Sequence, residues 1–139
     1  MIKELKTEEE LLDAFNVVKE LRTHLNKESY LHSLHVMKNE GYRMFALYVN
    51  EKIVAITGIV IRTNFYYGKH LFVYDLVTIS SERSKGYGGK LLDYIHQLGK
   101  DNNCENVALE SGLFRKEAHK FYEKNMGYEK YCYSFKKVL

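Results

Sequence analysis

Apolar residues recur at helical spacing through Leu11, Phe15 and Val18, with Leu12, Leu21 and Leu25 alongside. Thr7 followed three residues later by Glu10 has the form of a capping box. The spacing predicts an amphipathic helix over 7–24. A second helical pattern covers 28–39 through Leu31, Leu34 and Met37, with Gly41 placed to stop it. From Arg43 the period shortens. Apolar runs at 44–49 and 53–62, joined by the polar Asn50-Glu51-Lys52, predict a β-hairpin. A turn over 64–69, with Asn64 and Gly68, leads into a third strand over 71–78. Beyond a glycine-rich segment, Leu91, Leu92, Ile95 and Leu98 share one helical face, and Asn102-Asn103 closes that helix. Residues 107–110 form a short buried strand. Ala118, Phe121, Tyr122 and Met126 then predict a short helix stopped by Gly127, and the alternation Tyr131, Tyr133, Phe135 predicts a final strand.

The predicted order is helix, helix, three strands, helix, strand, helix, strand. Three consecutive strands favour an antiparallel meander, whereas a strand, crossover helix and strand favour a right-handed parallel pair. The expected class is therefore α/β (α+β) with a mixed, mostly antiparallel sheet. No repeat, low-complexity tract, proline or linker interrupts the 139 residues, so one domain over 1–139 is expected.

Composition narrows the picture by exclusion. Hydrophobic residues at 45% and charged residues at 28% exclude a disordered chain. The longest apolar run, 53–61, is broken by Thr57 and Gly58 and is too short for a bilayer. The start Met1-Ile2-Lys3-Glu4 lacks a signal-peptide pattern, so the cytoplasm is the expected location and no membrane partner is expected. A net charge of +3 is too small for a nucleic-acid binder and suits a phosphate-bearing cofactor as well. Cys104 and Cys132 make no disulfide framework and are read as buried thiols. The six histidines, at 24, 32, 35, 70, 96 and 119, have no metal-ligand spacing, so no metal is implied. Nothing in the pattern fixes the oligomeric state, and a homodimer stays open.

The segment with the most chemistry is Arg83-Ser84-Lys85-Gly86-Tyr87-Gly88-Gly89-Lys90, between a strand and an amphipathic helix. Glycines there let the backbone approach a ligand, and a helix N-terminus offers unpaired N–H groups and partial positive charge to an anion. Arg83 adds a planar fork and Lys85 a point charge. A Walker A loop fails on counting, because Ser84 stands at its first glycine and Leu91 at its Ser/Thr. A dinucleotide fingerprint fails at Leu91 too. By themselves the glycines fit a tight strand-to-helix connection equally well.

Arg83-Ser84-Lys85-Gly86-Tyr87-Gly88 resembles the R/Q-x-x-G-x-G/A signature of the GCN5-related N-acetyltransferases. Ala118-His119-Lys120-Phe121-Tyr122-Glu123-Lys124-Asn125-Met126-Gly127-Tyr128 is similar to that family's A-x-x-F-Y-E-K-x-G-F segment. The two motifs and their spacing cover 71–129, while the first forty residues match only in having two helices. The resemblance implies a twisted sheet of about six strands with about four helices, in the order α-α-β-β-β-α-β-α-β. It also implies acetyl-CoA as acetyl donor, its pyrophosphate on the amides of Lys85 to Lys90 and its pantetheine arm beside Leu76, Val77, Thr78 and Ile79. A cleft is expected where strands diverge between Val77 and Leu109. Seven residues before Tyr122, where many members carry Asn, this chain has Arg115. With Ser111, Gly112 and His119 it resembles a subset in which S-G-x-x-R-x-x-A-H-x-F-Y replaces the usual segment, which implies that Arg115 binds a cofactor phosphate or a substrate carboxylate, although an exposed helix-start arginine fits as well.

Acetyl transfer to an amine needs a neutral nitrogen, a polarised carbonyl and a proton for the departing thiolate. Tyr122 matches the family tyrosine that serves the sulfur, and a phenol with a reference pKa of about 10 keeps its proton for that task. From periodicity alone it would be a core tyrosine. Asp75, an acid inside an apolar strand, is the first candidate base, with Glu110 second and Glu82 third. An ion-paired or solvent-facing Asp75, one that binds the substrate cation without moving protons, and a water chain stay open. Acceptor choice is expected from Arg22 to Asn26 and from the 63–69 turn with Phe65, Tyr66 and Tyr67. The expected activity is direct transfer to a primary amine of a small molecule or peptide. The alternatives are an acyl-CoA-binding sensor on the same fold and a nucleotide-phosphate binder unrelated to CoA.

Overall fold

The computed structural model describes residues 1–139 and divides into two compact units, Met1–Ala108 and Leu109–Leu139. No helix is long and apolar enough to cross a membrane. In the first unit the chain opens with a strand too short for any period to reveal, β1 (Ile2–Leu5), which pairs antiparallel with β2 (Arg43–Val49). The helix expected over 7–24 is two helices, α1 (Glu8–Asp13) and α2 (Phe15–Leu21), broken at Ala14. Thr7 caps α1 with Glu10 as predicted, and the Glu10 carboxylate, held by the Lys6 and Thr7 N–H groups and by Lys3, has its pKa lowered to about 2, with the Lys3 hydrogen bond the largest cause. α3 (Lys27–Asn39) starts at a second capping box, Asn26 with Ser29, and ends before Gly41, whose φ of 97° only glycine adopts readily.

β2 turns through Asn50 and Glu51 into β3 (Lys52–Asn64), which pairs with β4 (Gly68–Thr78) in the expected meander. After β4 come a 3-10 turn over Ser80–Glu82, α4 (Tyr87–Asp101) and β5 (Asn106–Leu109). The sheet order is β1-β2-β3-β4-β5. The Glu105 N–H donates to Lys69 O at 2.7 Å, so β4 and β5 begin at the same end and run parallel, and the sheet is mixed as expected. Alternate residues divide its two faces. Met44, Ala46, Ile56, Val60 and Val77 pack on α1, α2 and α3 with Leu11, Phe15, Val18 and Leu34, while Leu47, Val54 and Ala55 pack on Leu91 of α4.

In the second unit, α5 (Lys116–Lys120) passes directly into a π-helical turn over Phe121–Asn125, and Gly127 at φ 74° ends the run as predicted. The strand expected at Tyr131, Tyr133 and Phe135 is not formed. The sheet order ends at β5, and Tyr133 and Phe135 are 83% and 91% exposed. Alternation supplies a strand-competent face, but a strand exists only where a ladder receives its N–H and C=O groups. One strand of the predicted order is lost at this end and β1 is gained at the other, so the sheet has five strands, against the about six that the resemblance implies. The expected burial of both cysteines is also corrected: Cys104 is half-buried and Cys132, in this last segment, is exposed.

Asn50 and Glu51 carry φ of 51° and 65°, the pair of left-handed residues a two-residue hairpin turn requires, yet Glu51 is not a residue suited to it. Replacing Glu51 by Gly should raise stability by about 1 kcal/mol, measured as a higher denaturation midpoint with unchanged denaturant slope.

Candidate functional site

The glycine segment leaves backbone N–H groups at the start of α4 without caps, a geometry that could hold an anion. α1 and α3 open with side-chain caps and acidic first turns, whereas α4 opens at Gly86 with neither. Its first helical bond is from the Lys90 N–H to Gly86 O at 3.1 Å, so the N–H groups of Tyr87, Gly88 and Gly89 precede it. The helix dipole at this end is thus uncompensated by the chain's own carboxylates in that turn. Ser84 and Gly86 both take left-handed backbone, at φ 65° and 83°, which curves the intervening amides into a concave loop. A Cβ on Gly86 would meet nothing within 4 Å, so the backbone angle and open approach, not crowding, call for glycine. Around the loop, Lys85 pairs with Glu82 at 2.6 Å, Arg83 Nε donates to Thr78 O at 3.3 Å, and Lys90 Nζ lies 5.7 Å from the Tyr87 ring. These residues fit a phosphate group arriving at the end of β4.

Upstream, β4 contains a bulge. Gly58 pairs with Asp75 and Ile59 with Val73, so Tyr74 is the extra residue and the period-two phase of the strand reverses there. Before it, the Phe72 and Tyr74 rings meet edge to face along one side of the strand, 5.9 Å apart. After it, Val77 joins the α1–α3 core and Leu76 the α4 side. Tyr74 and Asp75 therefore both face α2. Asp75, with its side chain 12% exposed, is held on both oxygens: Oδ1 accepts from Arg22 Nε at 3.0 Å and Oδ2 from the Tyr42 hydroxyl at 2.7 Å. Arg22 also donates from Nη2 to Tyr74 O at 2.9 Å, and Thr57 Oγ1 donates to Asp75 O at 2.9 Å. Burial, reinforced by the Asp75 charge, pushes the Tyr42 phenol well above its ordinary pKa. The Tyr42 ring lies so close over Gly58 that a Cβ there would fall 1.7 Å from its hydroxyl.

In the second unit Tyr122 is buried within the π-turn, its ring 5.4 Å from Phe121 and 5.8 Å from Tyr128. Burial raises its pKa, and the Arg115 cation partly offsets that rise. Arg115 stands at the start of α5, and the neighbouring His119 Nε2 is 2.9 Å from Gly112 O. Glu110 follows β5 and is exposed. Of the expected residues, the structure gathers Leu76, Val77, Thr78 and 83–90 in the first unit, and Arg115 with Tyr122 in the second.

Sequence reasoning missed Glu20, Arg22 as an ion-pair partner, Tyr42 and Gly58. None lies in a motif, and the hydrogen-bond partners of Glu20, Arg22 and Tyr42 are 33 to 60 positions away; Gly58 inside an apolar strand was the one available signal of a close approach.

The family model for the acetyltransferase (GNAT) family matches residues 6–128. The uncharacterized N-acetyltransferase YhdJ of Bacillus subtilis (strain 168) is 42% identical over 139 residues, covering 99% of this chain and 98% of that protein. Among solved structures, a transcriptional regulator from Bacillus halodurans C-125 superposes with a TM-score of 0.86 at 20% identity, covering 100% and 99% of the two chains. The aminoglycoside N-acetyltransferase AAC(6')-Iy in complex with CoA superposes with a TM-score of 0.86 at 14% identity, covering 100% and 93%. The same enzyme has been solved with the bisubstrate analogue CoA-S-monomethyl-acetylneamine.

Two stability measurements follow from the Asp75 cluster. Gly58→Ala should cost about 3 kcal/mol, because the Tyr42 ring must leave its site. Tyr42→Phe should cost about 1–3 kcal/mol at neutral pH by leaving Asp75 Oδ2 unpaired. The phenol's pKa is raised on folding, so its contribution is complete below about pH 10 and is lost as pH rises further. Unfolding titrations above that pH should show stability falling in the parent chain and falling less steeply in Tyr42→Phe.

Proposed function

The chain belongs to the acetyltransferase (GNAT) family, and from that premise we propose that it transfers the acetyl group of acetyl-CoA directly to a primary amine. The observation that carries the donor half is the uncapped start of α4, with Gly86 left-handed and Arg83, Lys85 and Lys90 around it. Such a turn suits a pyrophosphate held by the amides of Lys85 to Lys90, with Ser84, Tyr87, Gly88 and Gly89 shaping the loop. Leu76, Val77 and Thr78 would line the pantetheine arm through their backbone, and Arg115 would take a phosphate or a substrate carboxylate. The CoA complex of AAC(6')-Iy supports this reading. We include in the proposal that residues 1–139 work as one catalytic domain, since the family match runs through both units.

In the proposed reaction the amine nitrogen forms a bond to the thioester carbonyl carbon, the carbon–sulfur bond breaks, and the thiolate takes the Tyr122 proton. Its raised pKa keeps Tyr122 protonated at neutral pH. The ammonium proton of the acceptor leaves to Glu110, which is exposed at the end of β5, and the second proton that the nitrogen sheds on becoming an amide restores the Tyr122 phenol through solvent. Asp75 would have to release Arg22 or Tyr42 to act as a base, so the geometry favours a paired, positioning role for it over proton transfer. AAC(6')-Iy is an aminoglycoside enzyme, which makes small polyamines and aminoglycosides the first acceptors to try.

Thiol release from acetyl-CoA should be followed across polyamines, amino acids, aminoglycosides and peptide amines. CoA binding with no acceptor ever raising release above hydrolysis would replace the enzyme by a CoA-binding sensor. Tyr122→Phe should lower kcat on the order of a hundredfold with CoA affinity nearly intact. Gly88→Asp should abolish CoA binding by placing bulk and negative charge at the phosphates; normal affinity in that variant removes the loop assignment.

A further inference from the structure

The 3-10 turn that starts the phosphate loop has no cap of its own. Ile79 precedes it and supplies no side-chain hydrogen bond to the first N–H groups, and the acid of its first turn, Glu82, is engaged by Lys85. The cap comes from 60 positions away: Glu20 Oε1, on the last turn of α2, accepts from the Ser80 N–H at 2.9 Å. The same oxygen lies 3.8 Å from Arg83 Nη2, while Arg83 Nε reaches Thr78 O at 3.3 Å. The guanidinium is thereby held across the end of β4 by one backbone carbonyl and one carboxylate. Just past the end of α2, Arg22 grips the bulge at Tyr74 and Asp75. α2 thus holds β4 on both sides of Leu76, Val77 and Thr78, at the bulge with Arg22 and at the loop entrance with Glu20.

We propose that Glu20 is a positioning residue of the phosphate loop: it fixes the loop's first turn through the Ser80 N–H and orients Arg83 for the cofactor's phosphates. The proposal rests on the CoA reading of that loop and deepens it. The physical ground is preorganisation. A loop already held in its bound shape loses less conformational freedom when the anion arrives, and a charged acceptor on a backbone N–H is a strong form of such a hold. Glu20 lies at the surface and its hydrogen bond is to backbone, so its loss affects the loop rather than the core. The 3.8 Å separation from Arg83 is looser than a direct hydrogen bond, so the arginine is steered without being consumed.

The test is CoA binding by calorimetry and steady-state kinetics with acetyl-CoA, on the full chain. Glu20→Ala should weaken CoA binding and raise KM for acetyl-CoA roughly tenfold, the scale of one hydrogen bond to a charged group, with kcat within threefold and the thermal midpoint unchanged. Glu20→Gln keeps an acceptor oxygen for Ser80 and should recover most of the affinity. Ser80→Pro removes the N–H at a position where proline is tolerated, should reproduce the loss, and should make Glu20→Ala nearly silent when the two are combined. Unchanged or tighter CoA binding in Glu20→Ala overturns the proposal, as does a Gln variant as weak as Ala, or fully additive losses in the double variant. Failure of the parent chain to bind CoA would overturn the loop assignment itself, an outcome separate from these.

Discussion

The carboxylate of Asp75 is the constraint on which the first unit is arranged. An acid in the middle of an apolar sheet is costly unless its charge is met, and here it is met by Arg22 from α2 and by the Tyr42 hydroxyl from the start of β2. To bring Asp75 to that side, β4 inserts Tyr74 as an extra residue and reverses its phase. To let Tyr42 reach across, β3 has glycine at position 58. The bulge, the glycine and the end of α2 are therefore one arrangement. Removing any part leaves a buried charge or hydroxyl without its partner.

That arrangement also places the loop between β4 and α4. β4 runs from the bulge to Thr78, and the loop follows at Ser80, so whatever fixes the strand's exit fixes the approach to α4. α2 touches both ends of that stretch through Arg22 and Glu20. α4 is anchored independently, by Leu91, Leu92 and Ile95 buried against the other face of the sheet. The turn between them is consequently held on one side by ion pairs and on the other by apolar packing, while the N–H groups of Tyr87, Gly88 and Gly89 precede the first helical bond of α4.

The elements with strong local signals were legible. The capping box at Thr7, the stop at Gly41, the meander and the Leu91–Ile95 face are all where the periodicity places them, because each depends on neighbours within a few residues. β1 was not, since four residues give no period, and its pairing partners lie 39 to 45 positions away. The break at Ala14 was not, because the apolar spacing continues across it. At the other end the alternation of Tyr131, Tyr133 and Phe135 gave a real strand propensity with no ladder to accept it.

The sequence by itself determined the local chemistry: a glycine turn with cations ahead of an amphipathic helix, and a Phe-Tyr motif at a fixed distance downstream, both readable because they are contiguous. Only the tertiary structure decided which way Asp75 points and what holds it. One inserted residue reverses a strand's phase, and the choice between a solvent-facing acid and a paired one is made by Arg22 and Tyr42, which no spacing connects to it.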